Sequence, residues 1–265
     1  MSILEKKKTQ NYKKIDICNK KIYKYISSGS TVIHLAALST DSLCKENPVE
    51  CMRVNIEGTI NLYKAALRKK CKHFIFASTE WVYGEKGFPE PKNEDSVIDI
   101  NSINSAYALS KLICENFLKI NNNINVTILR FGIIYADRQH GGSALESIFF
   151  KTRDSNLLTI GSKKTARRFI HINDIITGIE SAILYRERKK FSHKYNVFNL
   201  TGNKLISLFD IIKVTKNLFK KKITILETDK NNPNIRNPIN DKAKKILRWN
   251  PKTTLLNSIN LLAKK

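Results

Sequence analysis

His73-Phe74-Ile75-Phe76-Ala77-Ser78-Thr79-Glu80-Trp81-Val82-Tyr83-Gly84 is the stretch on which the fold of this chain turns. A nearly unbroken apolar run that ends in hydroxyls, an acid and a glycine describes a strand buried on both faces. Strands of that kind belong to parallel sheets, whose crossover helices cover both sides. Working outward, Thr31 to Ala37, Val126 to Phe131 and Tyr195 to Leu200 repeat the pattern. Between them the apolar period becomes helical. Met52, Ile56, Ile60, Tyr63 and Leu67 form one face behind Asn47-Pro48, which reads as an N-cap with proline at the first helical position. A second helix is expected from Ser105 with Leu109, Leu112, Ile113 and Phe117 inward, and a third from Asn173 with Ile176, Ile179 and Ile183 inward. Strands alternating with amphipathic helices predict βαβ units, and so an α/β fold with a Rossmann-type doubly wound parallel sheet.

Beyond Tyr135 the pattern loosens. Residues 136–168 read as a loop, a helix and a short strand outside the main sheet. Ser207 is placed to cap a helix carrying Leu208, Ile211, Ile212, Thr215 and Phe219. Ile223 to Leu226 reads as a short strand, with helical segments around Leu247 and Leu256.

The chain has 265 residues, 42% apolar and 26% charged, enough for one large domain with a small cap. Its formal net charge is +24. Basic pairs and triplets are scattered from Lys6-Lys7-Lys8 to Lys220-Lys221-Lys222, with no long block and no interleaved aromatics. That distribution fits solvated lysine-rich faces and argues against nucleic-acid binding. The five cysteines are odd in number and form no C-x-x-C pair, which excludes a disulfide framework and a zinc site and points to a reducing cytoplasm. No apolar run is long enough for a membrane span.

Tyr107-Ala108-Leu109-Ser110-Lys111 sets a tyrosine and a lysine four apart, on one helix face. An ammonium beside a phenol favours phenolate and lowers the tyrosine pKa, suiting it to exchange a proton with a substrate hydroxyl. Alone this spacing is weak, since it also describes a core-edge tyrosine beside a solvated lysine. Its setting strengthens it: Ser78 to Gly84 lie at the carboxyl end of a parallel strand, where open α/β sheets hold ligands.

These pieces, taken together, resemble the extended short-chain dehydrogenase/reductase family, in particular its NAD-dependent nucleotide-sugar epimerases and dehydratases. The likeness runs from about Tyr12 to Leu262. It takes in Asp16-Ile17, His34 to Ala37, Asn55 to Thr59, Ser78 to Gly84, Tyr107 with Lys111, Arg130-Phe131-Gly132, Thr165 to Asp174, Tyr195 to Leu200 and Trp249 to Thr253, in the family's order. The resemblance implies roles. Thr79, Tyr107 and Lys111 match the catalytic residues, with Lys111 also on the nicotinamide ribose. Asp16 and Ile17 match the pair beside the adenine, and Leu35, Ala36 and Ala37 the strand end along the cofactor. Asn55 matches a helix asparagine near the active site, and reads equally as a buried amide satisfying backbone. Glu80, Arg167 and Arg236 fall on substrate-side positions, the arginines suiting a diphosphate. The cofactor implied is NAD, with NADP the alternative. The substrate implied is a nucleotide sugar, no metal is called for, and a homodimer is expected. Residues 1–135 and 171–200 are assigned to the cofactor-binding domain, and 136–170 and 201–265 to a small C-terminal α/β substrate cap.

The sequence also departs from the family. The first of its ten glycines is Gly29, so no G-x-x-G-x-x-G turn precedes Asp16. The chain is therefore expected to be N-terminally truncated, lacking a central first strand between strands near Ile15 and Ile33, and to bind NAD very weakly. Glu80-Trp81 replaces the Asp-Glu pair that family dehydratases carry after the catalytic threonine. Ile133 stands where many epimerases have asparagine. Epimerisation through a keto sugar is thus the expected activity. The rival reading is a non-catalytic fragment or remnant that does not hold NAD by itself.

Overall fold

The structure is a computed structural model and describes residues 12–84, 87–136, 138, 142–188 and 194–263. After a 3-10 helix at Lys20–Lys24 come β1 (Thr31–His34), α1 (Asp41–Glu46), α2 (Pro48–Met52), α3 (Gly58–Arg68), β2 (His73–Thr79), β3 (Phe88–Lys92), α4 (Ala106–Ile120) and β4 (Asn125–Phe131). Next are β5 (Ile134–Tyr135), α5 (Ala144–Asp154), β6 (Leu157–Ile160), β7 (Ala166–Arg167), β8 (Ile170–His171), α6 (Ile172–Arg188) and β9 (Tyr195–Leu200). The remainder forms β10 (Ile206–Ser207), α7 (Leu208–Leu218), β11 (Thr224–Glu227), β12 (Arg236–Pro238) and α8 (Leu255–Ala263).

The central sheet has the order β1-β2-β4-β9, with every pair parallel. This is the doubly wound sheet expected from the alternation of strands and helices. Every residue of β2 is buried, as its unbroken apolar run requires. One face carries Phe74, Phe76, Val126 and Ile128 against Leu62, Tyr63 and Leu118; the other carries Ile75, Leu129, Phe198 and Leu200 against α6 and Trp249. A third core lies outside the sheet, where α5 and α7 pack Leu145, Phe149, Ile211 and Ile212 with Ile259 of α8. Parallel pairing of β6 with β11 and antiparallel pairing of β7 with β10 join residues 157–167 to residues 206–227.

Several local expectations need correction. No strand forms at Ile15: Asp16 accepts from Cys18 N at 2.9 Å and turns the chain into the 3-10 helix that Asn19 caps. Among the described residues β1 is an edge strand, with Ile33 41% and Leu35 55% exposed. Asn47 makes no side-chain cap, although Pro48 does open α2 as expected. α1, unforeseen, is capped instead by Thr40, which accepts from Leu43 N at 3.3 Å. Between α2 and α3 the residues Arg53–Glu57 wind as a wide π turn. α4 buries Ala108, Lys111, Leu112, Glu115 and Leu118, so its inner face is turned from the expected one and Ile113 is exposed. In α6 it is Ile175 that is buried, and Ile176 is exposed. α4 places Lys111 and Glu115 toward the sheet, which an apolar-period reading cannot see. Cys44 and Cys51 are paired as a disulfide, contrary to the expectation from cysteine count, because the Asn47-Pro48 corner folds α2 back onto α1. Cys18, Cys71 and Cys114 are free.

Two core histidines make the fold acid-sensitive. His34 Nε2 meets Thr59 Oγ1 and His73 Nε2 meets Thr127 Oγ1, each at 2.8 Å, and neither Nδ1 has a partner. Burial drives His34 down to about 3 and His73 to about 4. Both rings are held neutral. The unfolded chain takes up their protons below the ordinary value of 6.5, so this stability is complete above that pH and is lost as pH falls toward 4. Glu80 titrates in the opposite sense, because burial raises its pKa, and partly masks the loss. A difference measurement removes that masking. His73→Gln is expected to reduce the change in unfolding free energy between about pH 7.5 and 5 by about 2 kcal/mol, read from urea midpoints. An unchanged pH slope refutes the assignment.

Candidate active site

Thr79 is the last residue of β2, at the carboxyl end of the parallel sheet. Its backbone is still extended, and its Oγ1 accepts from Trp81 N at 3.3 Å, which starts the short 3-10 turn Glu80–Tyr83. The turn ends at Gly84, with φ of 115°; a Cβ there would stand 2.7 Å from Ser102 Oγ, so only glycine fits. Ser105 caps α4 by accepting from Ala108 N at 3.3 Å and sets the helix origin two residues before Tyr107.

Thr79 and Tyr107 face each other closely enough for the threonine hydroxyl to act on the phenol. Lys111 lies one turn further along α4, buried, with Nζ donating to Ala77 O at 2.8 Å and standing 6.0 Å from the Tyr107 ring centroid. The three residues expected to act together do meet. Their electrostatics differ from the expectation. Tyr107 keeps some solvent-accessible surface, yet the protein packed around it raises its pKa to about 12, and the nearby Thr79 hydroxyl offsets only part of this. Burial lowers Lys111 to about 8. The lysine spends its proton on the β2 backbone rather than on the phenol, so each group is biased toward its neutral form.

Asn55 is placed as the second of its two readings has it, a buried amide that satisfies backbone. It is buried, its Oδ1 accepts from Leu38 N at 2.8 Å, and its Nδ2 donates to Leu38 O at 3.1 Å and Ser110 Oγ at 2.9 Å. It thereby ties the strand end after β1 to the helix that carries Tyr107 and Lys111. Asp16 stands apart from the trio. Its carboxylate pairs with Arg53 at 3.0 Å, while Ile17 packs against Gly58 and its carbonyl accepts from Asn61.

Glu80 is also corrected. It was expected to touch substrate, but it is 0% exposed and neither carboxylate oxygen has a hydrogen-bond partner. Burial pushes its pKa up to about 7 against the opposing fields of Arg236 and Arg167. Those fields bring Glu80 and the two arginines into one neighbourhood. Arg236 stacks 4.0 Å from the centroid of Trp81, a platform that sequence reasoning noted only as a departure. Arg167 is half-buried, donating to Ala166 O and Asn234 Oδ1, each at 2.8 Å. β12 pairs with β3, and Ala166 bridges Ile235, which brings the two arginines to the same side as the β2 turn.

The residues present fit NAD on its flanks. Leu35 and Ala36 leave exposed surface just after β1, and Tyr107 with Lys111 stands at the neighbouring strand end. The model for the NAD dependent epimerase/dehydratase family matches residues 3–197. The chain belongs to this family. Among its relatives, the UDP-glucuronate 4-epimerase of Thermodesulfobacterium geofontis is 29% identical over 263 residues, covering 95% of this chain and 78% of that protein. A UDP-N-acetyl-alpha-D-glucosaminuronate decarboxylase of Bacillus cytotoxicus is 30% identical over 61% of this chain and 52% of its own length. The Bacillus cereus UDP-glucuronic acid 4-epimerase, solved with UDP-glucuronic acid and NAD, superposes with a TM-score of 0.77 at 25% identity, covering 94% of this chain and 79% of that one. This membership agrees with the family expected from the motifs. Among the described residues no helix is long and apolar enough to cross a membrane, and no cluster of potential metal ligands occurs.

Proposed function

We propose that this family member inverts a hydroxyl-bearing carbon of a nucleotide diphosphate sugar through a keto intermediate, using Thr79, Tyr107 and Lys111. The observation that carries the reading is the gathering of Thr79 and Tyr107 at the carboxyl end of β2, with buried Lys111 beneath them and its Nζ held by Ala77 O at 2.8 Å. NAD supplies the hydride acceptor and donor. Thr79 holds the reacting oxygen, and the Tyr107 oxygen receives the hydroxyl proton and returns it when the carbonyl is reduced on the other face. Lys111 fixes the end of β2 under the phenol and presents an ammonium to the ribose side. Arg167 and Arg236 seat the diphosphate. In this reading residues 1–135 and 171–200 form the cofactor domain and 136–170 and 201–265 the cap. The exposed Ile113 and Ile120 on α4 support a homodimer through that helix.

Deuterium at the reacting carbon tests the mechanism. With NAD and a panel of UDP-hexoses and UDP-hexuronates labelled at C4, the expected product is the C4 epimer with its label retained, read by mass spectrometry and NMR. Loss of label to water shows proton abstraction and overturns the hydride route. No product from any member of the panel favours the non-catalytic reading.

A further inference from the structure

Glu80 raises a question that the catalytic trio does not answer. A carboxylate with no exposed surface and no hydrogen-bond partner is costly, and native chains rarely keep one without a countercharge. Among the described residues, the charges that face it are the two arginines, Arg167 on β7 and Arg236 on β12. Asp41 on α1 also feels Arg236, but it is already paired with Lys45 at 2.7 Å, so its charge is answered locally. Arg236 is buried over Trp81, and Arg167 is the member of the pair with open surface. The two arginines repel each other, which helps burial bring Arg167 down to about 10. Counted over Glu80 and the two arginines themselves, an ionised Glu80 leaves one net positive charge in the absence of ligand.

We infer that Glu80 is the resident countercharge of the Arg167–Arg236 anion seat, and that a diphosphate entering the seat drives a proton onto Glu80. This rests on the nucleotide-diphosphate reading above. A diphosphate diester brings two negative charges. With Glu80 still ionised, the balance turns to one net negative charge in a water-poor setting; with Glu80 protonated, it is neutral. In a medium of low dielectric the neutral arrangement wins. Free Glu80, near 7, is mostly ionised at about pH 8 and mostly protonated at about pH 6. Binding thus takes up a proton at the higher pH and almost none at the lower. The ligand is correspondingly bound about tenfold more weakly at pH 8 than at pH 6. A group placed for this role tunes affinity without touching the ligand.

Calorimetric titration of the full chain with UDP-glucose tests the coupling, since a diphosphate diester has no proton of its own to exchange in this range. Runs in HEPES and in Tris, whose ionisation enthalpies differ, separate proton uptake from binding heat. The expected result is uptake approaching one proton per UDP-glucose at about pH 8, little at about pH 6, and neither uptake nor pH-dependent affinity in Glu80→Gln. Binding without proton uptake, or uptake that persists in Glu80→Gln, overturns the inference and leaves the diphosphate seat standing. Absence of UDP-glucose binding at both pH values sinks the seat itself. Difference infrared spectroscopy of the unsubstituted protein reads the same event without a variant. A protonated-carboxyl band must grow on binding at pH 8, and its absence is equally fatal.

Discussion

Tyr107→Phe is expected to lower turnover by about 10²–10⁴-fold while leaving the chain folded. The substitution removes one hydroxyl and keeps the ring. That hydroxyl is the group that faces Thr79 at the end of β2. Even a lost hydrogen bond at such a partly exposed position costs no more than about 0.5–1.5 kcal/mol of stability, which a folded domain tolerates. The same loss leaves the substrate hydroxyl with no positioned proton acceptor. A direction of change also follows. Because burial holds the phenol near 12, deprotonation is uphill at neutral pH, and turnover of the unsubstituted enzyme should rise with pH until Lys111 loses its proton near 8. The check is steady-state kinetics on whichever labelled sugar nucleotide is inverted. Turnover above a tenth of the original rate in Tyr107→Phe removes the tyrosine from the mechanism.

The second large effect concerns stability. Glu115→Ala is expected to cost about 3–5 kcal/mol, a large fraction of a native stability of about 5–15 kcal/mol. Glu115 on α4 and Arg130 on β4 are both buried and pair at 2.6 Å, with the guanidinium Nε donating to the two carboxylate oxygens at 3.1 and 3.2 Å. Ser78 donates to the same carboxylate, and Arg130 Nη1 donates to Tyr83 Oη at 2.9 Å. Tyr83 in turn donates to Asn199 Oδ1 on β9, also at 2.9 Å. One network therefore spans β2, the turn after it, α4, β4 and β9. Burial opposes the charge on Arg130, and Glu115 with Tyr83 more than offsets it, so the guanidinium stays charged. Removing the carboxylate strands that charge in the core. Chemical denaturation gives the measurement, and a loss below about 1 kcal/mol contradicts the buried-pair account. Glu115→Leu combined with Arg130→Met should recover part of the loss, because two apolar groups of similar size leave no orphaned charge.

Much of this architecture can be read in the residues, where local pattern and tertiary role coincide. The strands at 73–79, 125–131 and 195–200 are continuous apolar runs and fold as such. Ser105 and Ser207 are capping residues in a context that needs caps, and both accept from the expected turn. Thr79, Tyr107 and Lys111 meet because a strand end and a helix face are both legible. What escaped depends on contacts between distant elements. The pairing of Arg130 with Glu115 leaves no spacing signal, since the two lie on different elements. The direction of the Tyr107 shift depends on how protein packs around the hydroxyl, which no motif encodes. Lys111 finds a carbonyl on β2 that no pattern announces. The Cys44–Cys51 pair depends on a corner between two short helices, and the strand expected at Ile15 yielded to a side-chain turn at Asp16.

The π turn at Arg53–Glu57 makes chain length, more than side-chain identity, the guarded quantity in this helix pair. Wide turns of this kind hold one residue more than the α-helix around them. The residues before the turn set Cys51 against α1, and those after it set Tyr63 edge-on to Phe74, with ring centroids 5.4 Å apart. An uninterrupted helix would swing one of these faces about 100° away from its partner. A polar exchange at half-buried Val54 perturbs only its own surroundings. Excising that single position forces a choice between the seat of Cys51 against α1 and the seating of Tyr63, and the helix has no slack with which to keep both.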